Sequence, residues 1–312
     1  MAENITADNS SLPSETPSLE FQCLGPMDLT VVTINAISFL INIFHLSVIT
    51  RLESLKGTQY RTILINISLA DMTNTLIVAV FNSCYDLFIY NFNHVTAEPA
   101  LRIPINTLMS FANYIGYHVF LVASIQQYLA ICRPISYQLS SFVERLPVVF
   151  ALAWIYVLLL SLIFFAMETL APFLWPWIGP IRLAKIVLLS IPPNVVTGIL
   201  LVKVYRAMQV RKCARKAMNT TNAAQATRDK GAMYLIIIFT LEMIAFALNI
   251  VVVLIFHHTR ITVWGKIWNA FIKAPYTIAN TVIYGWRTKS YQRQVHRIFG
   301  CQTASVESRE TP

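Results

Sequence analysis

Seven apolar stretches of about 20 residues or more, parted by short polar segments, take up almost the whole chain. A helix needs about that length to cross the roughly 30 Å hydrocarbon layer of a bilayer. Inside that layer only helices and closed barrels satisfy their own backbone groups. The stretches are 27–50, 60–85, 104–132, 147–167, 182–205, 231–257 and 263–286. They predict an all-α membrane protein, a seven-transmembrane helix bundle. Only 12% of the 312 residues are charged, where a soluble domain carries about 25%. The chain then divides into a tail over 1–26, one membrane domain over 27–300 and a second tail over 301–312. The Ser/Thr/Glu-rich first tail reads as disordered. It has no basic region leading into a short apolar one, so the first span is expected to act as an uncleaved signal anchor.

Charge gives the spans a direction. Residues 1–26 hold Glu3, Asp8, Glu15 and Glu20 and neither Lys nor Arg. The opposite side carries Arg51, Lys56, Arg61, Arg133 and Arg145, then a dense basic run over 206–230, then Arg287, Lys289, Arg293 and Arg297. The excess of Lys and Arg marks the cytoplasmic face, so the N-terminus is expected outside a plasma membrane and the C-terminus inside. The net charge of +9 gathers on that inner face. It suits anionic membrane lipids and an intracellular partner, and gives no reason to invoke nucleic acid. The sequons at Asn4 and Asn9 lie in the outer tail and are expected to be glycosylated, unlike those at Asn66 and Asn219. Cys132, Cys213 and Cys301 belong to the reducing side. Cys23 and Cys84 are left to form a bridge or to stand alone.

The loop over 208–230 extends the fifth and sixth helices as amphipathic ends. Residues 287–300 alternate basic side chains with Trp286, Tyr291, Val295, Ile298 and Phe299, the pattern of a short amphipathic eighth helix lying on the membrane surface. Cys301 follows, where a palmitoyl chain would add a second anchor and a free thiol is the plainer reading. Trp175 and Trp177, among the prolines of 168–180, read as an interfacial belt rather than a lid.

Polar groups inside the spans are costly, so each is a functional candidate. They are Asn42, Asn66, Asp71, Asn113, Gln126, Gln127, Glu242, Asn249, Lys273 and Asn280. Asp71 stands in the middle of the second span and needs a partner, a proton or a cation. Two readings stand: a structural bond among Asn42, Asp71 and Asn280, or a switch with or without sodium at Asp71 and Asn280. Glu242, Phe246 and Asn249 share one face of the sixth span, and Met109, Asn113, Tyr117 and Phe120 share one of the third. The two faces line a mostly apolar pocket for a small-molecule ligand, or else simply pack. Lys273 must pair or snorkel, and Glu242 is its candidate partner. No metal-ligand cluster, phosphate-cradling glycine loop or nucleophile–base pair stands out, and the six histidines are scattered. Neither an enzyme nor a cofactor is expected.

Together these residues resemble the rhodopsin-like G-protein-coupled receptors across all seven spans. The resemblance rests on Asn42, on Asn66-Ile67-Ser68-Leu69-Ala70-Asp71, and on Tyr128-Leu129-Ala130-Ile131-Cys132-Arg133-Pro134. It continues with Trp154, Pro193 or Pro192, Asn280-Thr281-Val282-Ile283-Tyr284, and Tyr291 in the eighth helix. It implies an extracellular ligand, a heterotrimeric G protein and arrestin at the cytoplasmic face, and an activation switch at Asn42, Asp71, Gln127, Tyr128, Asn280 and Tyr284.

Several positions depart from the family. Its acidic-Arg-Tyr triplet reads Gln126-Gln127-Tyr128, which removes the charge that meets the G protein and puts coupling in question. Thr281 replaces the proline after Asn280, and the sixth span has no proline, leaving Phe246 or Met243 for the toggle position. Arg102 lies near the place of the family's outer cysteine, and Gly116 stands where a sodium ligand is often found. Met109 replaces the amine-binding Asp, and Lys273 is one residue too early for a retinal lysine, a turn of about 100°. The run Tyr284-Gly285-Trp286-Arg287-Thr288-Lys289 looks like odorant-type receptors, so a small, fairly apolar chemosensory ligand is the expectation. The competing class is a transporter or ion channel using Asp71, Glu242 and Lys273. The absence of internal repeats weighs against it.

Overall fold

The computed structural model describes residues 26–56, 58–77, 98–170, 184–185, 187–218, 223–256 and 274–299. The bundle is formed by α1 (Pro26–Arg51), α2 (Gln59–Ile77), α3 (Glu98–Cys132), α4 (Leu146–Leu170), α5 (Ile191–Met218), α6 (Ala223–Phe256) and α7 (Ala274–Arg287). A short α8 (Lys289–Ile298) follows. Two helical turns, Pro134–Leu139 and Ser141–Glu144, link α3 to α4. The chain is an all-α membrane protein with a seven-helix bundle and an amphipathic eighth helix.

Helix ends follow local chemistry. Pro192 and Pro193 fall in the first turn of α5, where a missing N–H costs nothing, and Ser190 makes the turn before it. Residues 184–185 and 187–189 are already helical, Ser190 makes a turn, and the helix then runs from Ile191 to Met218, past the expected end at residue 205. The basic residues of 208–230 prolong α5 and α6 as expected, so α6 starts at Ala223 rather than at residue 231. α3 starts at Glu98 and carries Pro104 inside it.

α3 is the central post, packing on α2, α4, α5 and α6. Its Ile115, Val119 and Ala123 recur every four residues and are fully buried. Ile63 and Leu64 of α2, Phe150 and Val157 of α4, and Leu235 and Ile238 of α6 close the same core. The outward faces are apolar too: Leu152, Ile155, Leu159 and Ile163 of α4 are half exposed or more. Lipid is their solvent, so helix association rests on close packing and interhelical hydrogen bonds rather than on expulsion of water.

Trp154 shows both. Its indole packs edge-on against Phe111, centroids 6.0 Å apart, and its N–H donates to Asn66 Oδ1 at 3.2 Å. Trp154→Phe keeps the packing and deletes the bond between α4 and α2. Thermal denaturation in detergent should show a loss of about 0.5–1 kcal/mol.

Candidate functional site

Asp71 sits on the buried face of α2, 7% exposed. α7 presents Asn280 to it, and Asn280 Nδ2 donates to Asp71 Oδ2 at 2.6 Å. The backbone carbonyl of the same Asn280 accepts the Tyr234 hydroxyl of α6 at 3.1 Å. One residue thus joins three helices. A second α6–α7 link lies farther along, where the Tyr276 hydroxyl donates to Glu242 Oε2 at 3.0 Å. Ser38 of α1 and Thr277 of α7 are bonded through their hydroxyls, which fixes the remaining side of α7.

Asp71 and Glu242 line one cavity of about 10 Å³ with Asn74 and Gly116, room for about one water. A Cβ at Gly116 would lie 3.7 Å from Glu242 Oε1, an ordinary contact, so the α6 carboxylate sits next to α3 at this level. The Oδ1 atoms of Asn74 and Asn280 are buried with no hydrogen-bond partner among the described residues.

The residues read from sequence are distributed as follows. Asp71 and Asn280 pair directly, but Asn42 does not join them. Its Nδ2 donates to Ser38 O at 2.9 Å, because a short amide four residues on can reach its own helix's carbonyl. Asn113 turns to α2, where its Oδ1 accepts from Asn74 Nδ2 at 2.9 Å. Tyr117 turns to α6 and stacks edge-on with Phe246, centroids 5.8 Å apart. Met109 is half-buried on the same helix. Glu242 lies beside Asp71 in the cavity wall. Lys273, Asn4, Asn9, Cys23, Cys84, Cys301 and the tryptophans 175 and 177 lie outside the described residues, as does the side chain of Asn249.

At the basic end, Gln126 Nε2 donates to Gln59 Oε1 at 3.3 Å and to the Tyr137 hydroxyl at 3.1 Å, and Tyr137 in turn donates to Gln59. Gln127 is 5% exposed, so in this arrangement it faces inward. Tyr284 is buried between Tyr234, Tyr291 and His45, all in edge-on or tilted contact. Tyr128 lies under the Lys203 ammonium at 5.9 Å.

Sequence reasoning passed over Asn74, Tyr234, Tyr276 and His45. Helical spacing was the available signal. Asn74 is three residues from Asp71, Tyr276 four from Asn280, and Tyr234 eight from Glu242. His45 is one of the scattered histidines, yet it is 2% exposed and its Nδ1 lies 3.0 Å from the Tyr291 hydroxyl.

This arrangement is that of a rhodopsin-type seven-helix fold. The crystal structure of squid rhodopsin matches with a TM-score of 0.67, covering 91% of this chain and 88% of that one. The two share 15% sequence identity, so the likeness is one of fold. No family model matches the chain, and no curated protein sequence matches it.

If Asp71 and Asn280 are one energetic unit, their effects cannot add. A double-mutant cycle on Asp71→Ala and Asn280→Ala, read by thermal denaturation, should give a coupling of about 1–2 kcal/mol.

Proposed function

We propose that this protein is a G-protein-coupled receptor of the rhodopsin-like type, sensing a small, fairly apolar extracellular ligand of chemosensory kind. The observation that carries the reading is the double use of Asn280. Its side chain holds Asp71 and its carbonyl holds Tyr234, so the closed position of α6 depends on the same residue that hydrogen-bonds the central carboxylate. A ligand that binds better to a bundle with α6 displaced shifts the population toward that state. Movement of α6 then opens the basic end, where Gln127 and Tyr284 are now covered. A heterotrimeric G protein, and arrestin after it, would dock on that opened end with Tyr128 and the basic ends of α5 and α6.

Ligand contact is assigned to Met109, Asn113, Tyr117, Glu242, Phe246, Asn249 and Lys273. Tyr117 and Phe246 support this, because their edge-on contact bridges α3 and α6 beside the cavity. A ligand wedged between them would act on α6 directly. Outer-tail glycosylation at Asn4 and Asn9, palmitoylation of Cys301 and residence in the plasma membrane with the N-terminus outside belong to the same reading.

A sodium ion fits the cavity between α2 and α3. Asp71 supplies charge, and the unpartnered Oδ1 atom of Asn74 supplies a neutral acceptor in the cavity wall. Such a cation would neutralise the second carboxylate, Glu242, that this chain brings to the cavity. Gly116 offers no side-chain ligand, and Glu242 supplies a carboxylate to the same cavity wall.

Two measurements test the proposal. Tyr234→Phe removes the bond from α6 to α7 without changing shape. Basal nucleotide exchange on a panel of G proteins should rise about two- to tenfold, the equivalent of one net hydrogen bond. Absence of any exchange, basal or ligand-driven, together with ion currents in reconstituted vesicles would replace the receptor with a channel. Exchanging choline chloride for sodium chloride at equal ionic strength should raise the melting temperature of the purified protein by a few degrees. Asp71→Asn should abolish that difference.

A further inference from the structure

The α5–α6 seam opens toward the lipid as a groove of about 630 Å³. Val195, Gly198, Ile199 and Val202 of α5 and Phe239 and Met243 of α6 form its apolar length. At Gly198 a Cβ would lie 3.7 Å from the Phe239 ring, an ordinary contact, so the missing side chain leaves the ring facing the groove. One end is different: Lys203 and Arg206, three residues apart and on one face of α5, line it with exposed side chains.

The position of these cations is informative. Lys203 and Arg206 fall where the apolar run of α5 gives way to the basic run over 206–230. Among the described residues the ion pair is Lys56–Glu53, so neither Lys203 nor Arg206 has a carboxylate partner there. Lys203 instead lies over the Tyr128 ring. The stretch of α5 from Ile191 to Arg206 rises about 22 Å, enough to cover one leaflet's share of a hydrocarbon layer about 30 Å thick.

We propose that this seam binds one anionic phospholipid. Lys203 and Arg206 hold its phosphate, Arg206 by parallel N–H bonds, and one acyl chain lies in the apolar groove. A zwitterionic lipid brings its own cation to the same end and gains less. The two features are complementary in one molecule: an apolar slot one leaflet long, ending in two positive charges with no acidic neighbour. The assignment does not depend on the receptor reading, because it concerns binding alone.

The test uses the full chain purified in detergent and native mass spectrometry, with phosphatidylglycerol and phosphatidylcholine of identical acyl chains as probes. The wild-type protein should retain phosphatidylglycerol in preference to phosphatidylcholine. The double variant Lys203→Gln with Arg206→Gln should lose retention by about fivefold for each cation removed. The charge-conserving pair Lys203→Arg with Arg206→Lys should keep it. Val202→Trp, which fills the slot and leaves both charges, should also release the lipid. Melting curves of all variants establish that they are folded. Equal retention of the two lipids by the wild type, or undiminished retention by a folded Gln variant, overturns the proposal. Release of the lipid by excess glycerol phosphate overturns it as well, by assigning the cations to a soluble phosphate.

Discussion

A carboxylate surrounded by helices in a hydrocarbon layer cannot be left to water. Asp71 meets this demand through Asn280, at 2.6 Å, and that bond places α7 against α2. Because the Asn280 carbonyl also receives Tyr234, the same placement holds α6. Ser38 and Thr277 tie α7 to α1, and Tyr276 ties it a second time to α6 through Glu242. α7 is thus positioned by hydrogen bonds from three helices, while α2, α3 and α4 combine close-packed apolar faces with the Trp154–Asn66, Asn74–Asn113 and Gln126–Gln59 bonds.

Charge is unevenly distributed along the bundle. Asp71 and Glu242 both line the cavity, beside Gly116 of α3. The basic end of α3 is neutral. Gln126 and Gln127 carry no charge, and Gln126 joins Gln59 and Tyr137 in a neutral network between α2, α3 and the following turn. A neutral lock at that end needs no counter-charge to form or to break. The electrostatic part of the bundle is thereby concentrated around Asp71 and Glu242.

How much was readable in the residues differs with the kind of interaction. Asp71 and Asn280 were legible because a lone acid or amide in an apolar helix has few ways to be satisfied. Asn42 looked like their third member on the same grounds, and it was not, since its amide reaches its own helix's Ser38 carbonyl. Asn113 was legible as an inward residue, but not its use by Asn74. Tyr234, Tyr276 and His45 left no mark, because an aromatic residue in an apolar span costs little and needs no explanation until its hydroxyl or ring nitrogen is seen beside a partner.

The sequence by itself determined that the chain is a bundle of seven membrane helices, which faces are polar, and that α5 and α6 extend beyond the apolar layer. Hydropathy and helical period decide those matters locally, through the cost of unsatisfied backbone and side-chain groups in hydrocarbon. It was tertiary structure alone that decided which polar groups meet. Rotation of one helix by a single residue turns a side chain by about 100°, and no local property of the chain records that angle between helices. Hence the sharing of Asn280 between Asp71 and Tyr234, the approach of Glu242 to Gly116, and the groove that ends at Lys203 and Arg206 exist only once the helices are packed.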